Sequence, residues 1–544
     1  MRALLKRLFC DSNDDQRSAS ETDFAAANAQ FAAGRYEEAR TACELILKKF
    51  PQHANALWLL GMICSEKQEM ERASGYIGRA IEIAPKVAKY RLSLGYVRQE
   101  EGEFDRAAEC YRAAIELDSH YAEAWNNLGC VMQMQGKLSQ AADCFRQALE
   151  INPNLAQANQ NLGELIHDPH SLEIAAKGFR QAIEAHPGDA NLYIGLGNTL
   201  RDLGKFSEAF EAFDAAIALK PDYAEAHFSK SLALLLQGDL VAGWKEHEWR
   251  WQREAERREF QAPQWDGQPM PKGTLFLHAE QGLGDTMQFV RYAPLAARLC
   301  GRLVVECQPP LKTLIENMPG IAQTYSQGEF LPEFDAHLPM LSLPYVFNTS
   351  LETIPAEIPY LHADMSKFAD WRVRLAADGD AFRVGLCWAG RPEHWDDANR
   401  SAALDVFAPQ GEVRGIVFYS LQKGPAAKQV AHPPVGMCLK DMTAELHDFS
   451  MTAALVANLD LVISVDTSIA HLSGALGVPI WTMLPRVPDW RWLLHREDSP
   501  WYPGMRLFRQ EDLSGWHPVV LRMTGELGKL MACRSVAKRC KAAG

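Results

Sequence analysis

Along the first half of the chain the apolar and small positions return every 34 residues. Ala recurs at Ala39, Ala73, Ala107, Ala141, Ala175 and Ala209, and Gly at Gly61, Gly95, Gly129, Gly163 and Gly197. Pro keeps the same step at Pro51, Pro85, Pro153, Pro187 and Pro221, with Ser119 in the gap. Within each unit the apolar residues have helical spacing in two stretches, which predicts helix–turn–helix. The clearest unit is AEAWNNLGCVMQMQGKLSQAADCFRQALEINPN, residues 122–154. Small residues at the Gly and Ala steps let helices approach closely, and Pro ends each unit's second helix. No unit buries its apolar face alone, so the units are expected to stack into a superhelix with a concave groove. Six full units cover 20–221. A degenerate seventh, from Ala224 to near Arg253, ends in GWKEHEWRW. The expected array is therefore 20–255, after a flexible segment 1–19.

After Glu259 the pattern changes. QAPQWDGQPMPKG reads as a linker, placed at 256–271. Strand-like runs then alternate with helical ones: TLFLHAE, GRLVVECQP, FRVGLCWAG, GIVFYSLQ, LDLVISVD and VPIWTML. Such alternation predicts α/β layers with parallel sheets. WRVRLAADGDAF separates two groups of strands, which divides this half into lobes 272–375 and 376–533, with a basic tail 534–544. The fold class is thus an α-solenoid followed by two Rossmann-like lobes, facing each other across a ligand cleft.

The ends of the predicted strands carry the chemistry. In EQGLGDT, Gly282 and Gly284 allow a tight turn and close approach of a ligand. This is not a dinucleotide fingerprint, because Met287 stands where the third glycine would be. Asp285 falls at a helix start, where it is either a helix cap or a general base. In SVDTSIAHLSGALGVP, Asp466, Thr467 and Ser468 sit where a buried strand hands over to a helix that Gly477 ends. A capped helix explains them, and so does a phosphate at free helix N–H groups. CWAGRPEHWDDANRS supplies Trp388 and Gly390 in a small-residue loop, with Arg391, Arg400 and Ser401 able either to bind an anion or to stay solvated. FYSLQKG ends at Gln422 and Lys423, both able to reach a ribose or phosphate. Trp490, Trp492 and Trp501 are read as packing over both lobes, with stacking on a sugar or base as the alternative.

Composition removes several classes. A net charge of −13 argues against a general nucleic-acid binder. The twelve cysteines show no CxxC pair and no zinc spacing, so they are expected to be reduced core residues in a cytoplasmic protein. No apolar run approaches the ~20 residues of a membrane span. MRALLKRLF is read as a frayed start, with peripheral membrane contact as its alternative. HExxH, GxSxG and Walker motifs are absent, and the DGD at 378–380 precedes a strand, so it is read as linker.

The 34-residue unit, with Trp125, Leu128, Gly129, Ala141, Phe145, Ala148 and Pro153, resembles the tetratricopeptide repeat. The pairing of GLGDTMQFVRYAPLA with DLVISVDTSIAHLSGALGVPIW resembles the heptosyltransferases, the family-9 glycosyltransferases. The segment PDWRWLLHREDSPWYPGMRLFRQ, 488–510, is similar to bacterial proteins that fuse such repeats to such a domain. Repeats plus a catalytic domain also resemble the O-GlcNAc transferases, which share the two-lobed GT-B layout. These resemblances imply inverting transfer from a nucleotide-diphosphate sugar without an essential metal or cofactor. They imply Asp285 as general base, and Asp466, Thr467, Ser468 and His471 beside the donor's diphosphate and sugar. The family's phosphate-contacting lysine has no clear counterpart here, and Arg391 or Arg400 is the expected substitute. The expected donor set is Gly284, Trp388, Gly390, Arg400, Ser401, Gln422, Lys423, Asp466, Thr467, Ser468 and His471. The repeats are expected to select a protein or glycan acceptor. The competing reading is a non-catalytic adaptor whose α/β half senses a nucleotide sugar.

Overall fold

A computed structural model describes residues 21–543 apart from 136, 153–154, 166–168, 254–257, 395 and 512–514. The expected flexible segment 1–19 lies outside these residues. The chain divides into two compact units, which meet in sequence between Lys220 and Pro221.

The first unit is a tetratricopeptide array of paired helices such as Ala122–Met134 with Leu138–Ile151. The 34-residue steps have a direct cause. Ala39, Ala73, Ala107, Ala141, Ala175 and Ala209 are fully buried. A Cβ placed on Gly61, Gly95, Gly129 or Gly197 would lie only 2.4 to 2.6 Å from Ile77, Tyr111, Phe145 and Phe213 respectively. Each glycine therefore meets the large side chain 16 positions later, on the second helix of its own unit. Asn161 donates to Asn126 at 2.9 Å, and Tyr90 to Asn55 at 2.7 Å, across neighbouring units. The cysteines from Cys43 to Cys533 are free thiols.

The second unit begins with the seventh hairpin, Ala224–Gln237 and Leu240–His247, which a 3₁₀ turn Glu248–Gln252 follows. Sequence periodicity counts this hairpin with the array to 255, but its packing groups it with the α/β half. Two parallel sheets follow. The first has strands β1 (Met270–His278), β2 (Cys300–Cys307), β3 (Gln323–Ser326) and β4 (Ala336–Pro339) in the order β3-β2-β1-β4. The second has β5 (Phe382–Cys387), β6 (Ile416–Ser420), β7 (Leu439–Asp441), β8 (Leu461–Val465), β9 (Ile480–Leu484) and β10 (Met505–Arg509) in the order β10-β9-β8-β5-β6-β7. All pairings between named strands are parallel. Strand β8 is buried along its whole length, as a strand covered on both faces must be.

Two expected boundaries need amending. The stretch read as linker is partly sheet: β1 starts at Met270, and the Trp265 amide donates to the His337 carbonyl at 2.8 Å, covering the edge of β4. The stretch read as a basic tail continues the C-terminal helix His517–Ala543. Among the described residues no helix is long and apolar enough to cross a membrane.

Candidate functional site

Strand order marks where each sheet opens. In the first sheet the chain runs from β1 outward through β2 and β3, then returns to the other side of β1 for β4. In the second it runs from β5 through β6 and β7, then crosses to β8. Ligands in open α/β sheets bind outside the carboxyl ends of strands at such switch points. The β1 end continues into the loop of Asp285. The β5 and β8 ends continue into the loops of Trp388–Gly390 and Asp466–Ser468.

The two loop sets touch. Asp285 is the third residue of the Leu283–Phe289 helix, and its Oδ2 accepts from the Gly282 amide at 2.8 Å. Asp285 is thus not the N-cap, which is Gly282, but its side chain caps that residue's amide from the third helical position. Asp285 Oδ1 is ion-paired with Arg491 Nη2, from the segment that follows β9 of the second sheet. Arg491 also donates from Nη1 to Asp489 at 2.8 Å and from Nε to Gln288 at 2.8 Å. The Gln288 Nε2 group is buried without an acceptor. A Cβ on Gly284 would lie 2.8 Å from the His471 ring, so only glycine permits this approach.

His471 lies on the Ser468–Leu476 helix, with Nδ1 2.8 Å from the Tyr502 hydroxyl and its ring stacked on Trp492 at 5.4 Å. Burial, helped by Arg491 and Arg291, pushes its pKa well below the usual value, so it is neutral. Asp466, just after β8, is half-buried. Burial and the neighbouring Asp489 carboxylate push Asp466 up to about 6. Thr467 occupies the cap position of the Ser468 helix, yet its hydroxyl turns to Ser464 at 2.9 Å and makes no capping bond. The start of this helix therefore has no side-chain cap at its N-cap residue, a setting that suits an anion.

The remaining expected donor contacts serve their own loop. Gln422 Oε1 accepts from the Trp388 and Ala389 amides at 3.0 and 2.8 Å, and its Nε2 donates to the Ala389 and Lys423 carbonyls. Ser401 Oγ accepts from the Gly390 amide at 2.8 Å and donates to Asp397 at 2.7 Å. Arg400 lies 3.5 Å from the same Asp397 carboxylate, and its Nε has no hydrogen-bond acceptor. Lys423 Nζ donates to the Thr443 carbonyl at 2.7 Å. Trp388 is wholly buried in the core of the second sheet. Gln422 and Trp388 thus shape the β5 loop from behind. Arg391 is exposed and lies 3.8 Å from Glu393.

Sequence reading missed Arg491, Asp489 and Gln288. Arg491 lay inside a string noticed for its tryptophans, and the signal was the arginine flanked by Asp489 and Trp492. The segment is indeed packing material: Trp490, Trp492 and Trp501 are buried.

Comparison with known proteins bears on the array. Tetratricopeptide-repeat models match residues 24–88 and 122–155, and a TPR-repeat model matches 95–136 and 197–238. Protein FlbA of Caulobacter vibrioides is 26% identical over 347 residues, covering 56% of this chain and 55% of that protein. The chain thus spans about half the length of this curated relative. Among solved structures, YrrB, described as a TPR protein with an unusual peptide-binding site, is 22% identical with a TM-score of 0.29, covering 35% of this chain and 98% of its own. PilF of Pseudomonas aeruginosa is 18% identical with a TM-score of 0.33, covering 39% and 96%. At such scores these likenesses carry no argument about the α/β half.

Proposed function

We propose that the second unit is a GT-B glycosyltransferase that moves a sugar from a nucleotide-diphosphate sugar to a protein or glycan acceptor, which the repeats select. The observation that carries this reading is the meeting of two sheet switch points at one place, with Gly284 against His471 and Asp285 against Arg491. Asp285 is the base that takes the acceptor hydroxyl's proton as the new glycosidic bond forms, while the diphosphate leaves. The first amides of the Ser468 helix and the guanidinium of Arg400 suit the diphosphate. Asp466 and His471 face the sugar. With one base and direct attack opposite the leaving nucleoside diphosphate, transfer is inverting, and the helix amides and Arg400 take the place of a divalent metal. The acceptor groove belongs to the array, since stacked repeats of this kind bind peptides or proteins.

One observation favours a second reading. Both oxygens of Asp285 are engaged, by Arg491 and by the Gly282 amide, as in a purely structural carboxylate. A repeat adaptor with a nucleotide-sugar-sensing α/β unit would look the same. A thermal-shift screen over UDP-, GDP-, ADP- and dTDP-sugars separates these readings, because specific binding raises apparent stability. The expected result is a shift with one nucleotide class, unchanged in EDTA, and slow hydrolysis of that donor. Binding without hydrolysis or transfer selects the adaptor. No shift with any donor rejects both, and a shift lost in EDTA rejects metal independence.

A further inference from the structure

The seventh hairpin is more than the end of a repeat array. Arg250, in the 3₁₀ turn after it, is almost wholly buried at 2% exposure. Its Nη2 donates to Glu280 Oε1 at 3.0 Å and to Ser342 Oγ at 2.8 Å, and its Nη1 to Glu248 Oε1 at 2.7 Å. The Leu341 amide donates to the same Glu280 oxygen at 3.2 Å, and the Ser342 hydroxyl donates to Glu248 at 2.8 Å. Glu280 follows β1 and stands two residues before Gly282. Leu341 and Ser342 follow β4. Arg250 therefore ties the segment that follows β1 to the segment that follows β4.

The same hairpin grips the Asp285–Arg491 pair from outside. Trp244, 1% exposed, meets Phe289 edge-on at 5.6 Å and Trp490 edge-on at 5.1 Å. Phe289 ends the helix that carries Asp285, and Trp490 precedes Arg491. One side chain thus spaces both partners of the pair.

We propose that the seventh hairpin is a positioning element of the candidate site, with Arg250 setting the Gly282–Asp285 loop through Glu280. The proposal rests on the reading of Asp285 as a working residue only for its consequence in turnover; the positioning itself is independent of it. Arg250 is a suitable pivot because its rigid planar fork bonds Glu248 from one nitrogen and Glu280 and Ser342 from another, a spread that the single ammonium of a lysine does not reproduce. Residues that belong to the repeats by sequence thereby fix the geometry of the α/β site.

The test uses the full chain with Arg250→Lys, which keeps the charge and removes the fork, and Glu280→Gln, which cuts the same bond from the loop side. Hydrogen exchange followed by mass spectrometry is read at 279–289 and, as a control, at 461–476. Both variants are expected to raise exchange at 279–289 by about ten-fold or more, the scale of a lost charge-assisted hydrogen bond. Exchange at 461–476 should stay unchanged. If the protein hydrolyses a nucleotide sugar, kcat should fall while KM holds. Unchanged exchange at 279–289 in both variants overturns the proposal, and so does a uniform rise across both segments, which marks general destabilisation. A protein without nucleotide-sugar chemistry fails the proposed function, yet the exchange result still decides this inference.

Discussion

Asp285 is held on both carboxylate oxygens, Oδ1 by the Arg491 guanidinium and Oδ2 by the Gly282 amide at 2.8 Å. The first bond joins the two sheets' loops and the second is local to one helix turn. A base in this setting must release one oxygen to the acceptor hydroxyl. The amide bond keeps the helix start intact, so the Arg491 side is the one to yield.

Asp285→Asn separates these two bonds. Asparagine can still accept from the Gly282 amide, while the ion pair and the base are lost. General-base catalysis typically supplies about 10²- to 10⁴-fold, so turnover should fall in that range, with nucleotide affinity within a few-fold. Kinetics on the identified donor and isothermal titration with its nucleotide give the two values. Near-normal turnover rejects Asp285 as base. Arg491→Met is the harsher change, because it leaves the largely buried Asp285 without its cation. Removing one partner of a buried pair costs about 3–5 kcal/mol, which should be plain in the melting temperature.

Asp466 predicts a pH signature. Its folded pKa of about 6 lies above the ~3.9 of an unfolded carboxyl. The folded state therefore binds the extra proton between those values, and stability falls as pH rises through that window. The shift of about two pH units corresponds to at most about 3 kcal/mol. His471 slopes the other way: its folded pKa is depressed, so stability is lost as pH falls below about 6.5 and the unfolded imidazole takes a proton. The wild-type profile mixes the two, so the difference from Asp466→Asn is the observable. That variant should gain stability on wild type from pH 4 to 6 and hold a constant lead above it. It should also weaken nucleotide-sugar binding. A flat difference across pH 4–6 would show that Asp466 is ionised throughout.

Glycines in the array differ in sign. A Cβ on Gly129 would stand 2.5 Å from the Phe145 ring, and one on Gly95 2.6 Å from Tyr111. Both rings are fully buried, so neither can swing away. Gly129→Ala should cost about 1–3 kcal/mol by overpacking. Gly75 lies in the Met70–Ile83 helix with nothing within 4 Å of its added Cβ. Gly75→Ala should stabilise by about 0.5–1 kcal/mol. Chemical denaturation of the three proteins checks this, and equal effects at both positions would remove the close-approach explanation of the 34-residue glycine step.

What could be read in the sequence follows from what repeats or runs long. The glycine and alanine steps were legible because each answers one packing contact that recurs from unit to unit, as at Gly61, Gly95, Gly129 and Gly197. The strands β1, β2, β5, β6, β8 and β9 were legible as apolar runs. Strands β3, β4 and β7 have three or four residues and no such run, so periodicity cannot mark them. Asp285, Asp466 and His471 stood out because they follow strands in small-residue loops. Arg491 and Arg250 did not, because each owes its role to partners about 200 and 30 to 90 residues away, which no local pattern records. The seventh hairpin shows the limit best: its helices follow the repeat pattern, while Trp244 and Arg250 face Phe289, Trp490 and Glu280.

That limit decides where the chain can be cut. A chain beginning at 256, where the sequence pattern changes, lacks Trp244 and Arg250. It exposes Phe289 and Trp490 and leaves Glu280, 5% exposed, without its cation. An uncompensated buried charge alone costs about 3–5 kcal/mol, a large share of a domain's total stability. A chain beginning at 221, where the compact units divide, keeps both residues. The 221–544 protein should be soluble, melt in one cooperative step and bind nucleotide like the full chain. The 256–544 protein should aggregate or melt far lower. With the array removed, 221–544 should lose modification of the native acceptor while keeping donor hydrolysis. Soluble yield, melting temperature and nucleotide affinity of the two chains test the first contrast, and acceptor turnover tests the second. If 256–544 melts within a few degrees of 221–544, the hairpin is dispensable to the α/β unit. If 221–544 modifies acceptor as fast as the full chain, the array does not choose it.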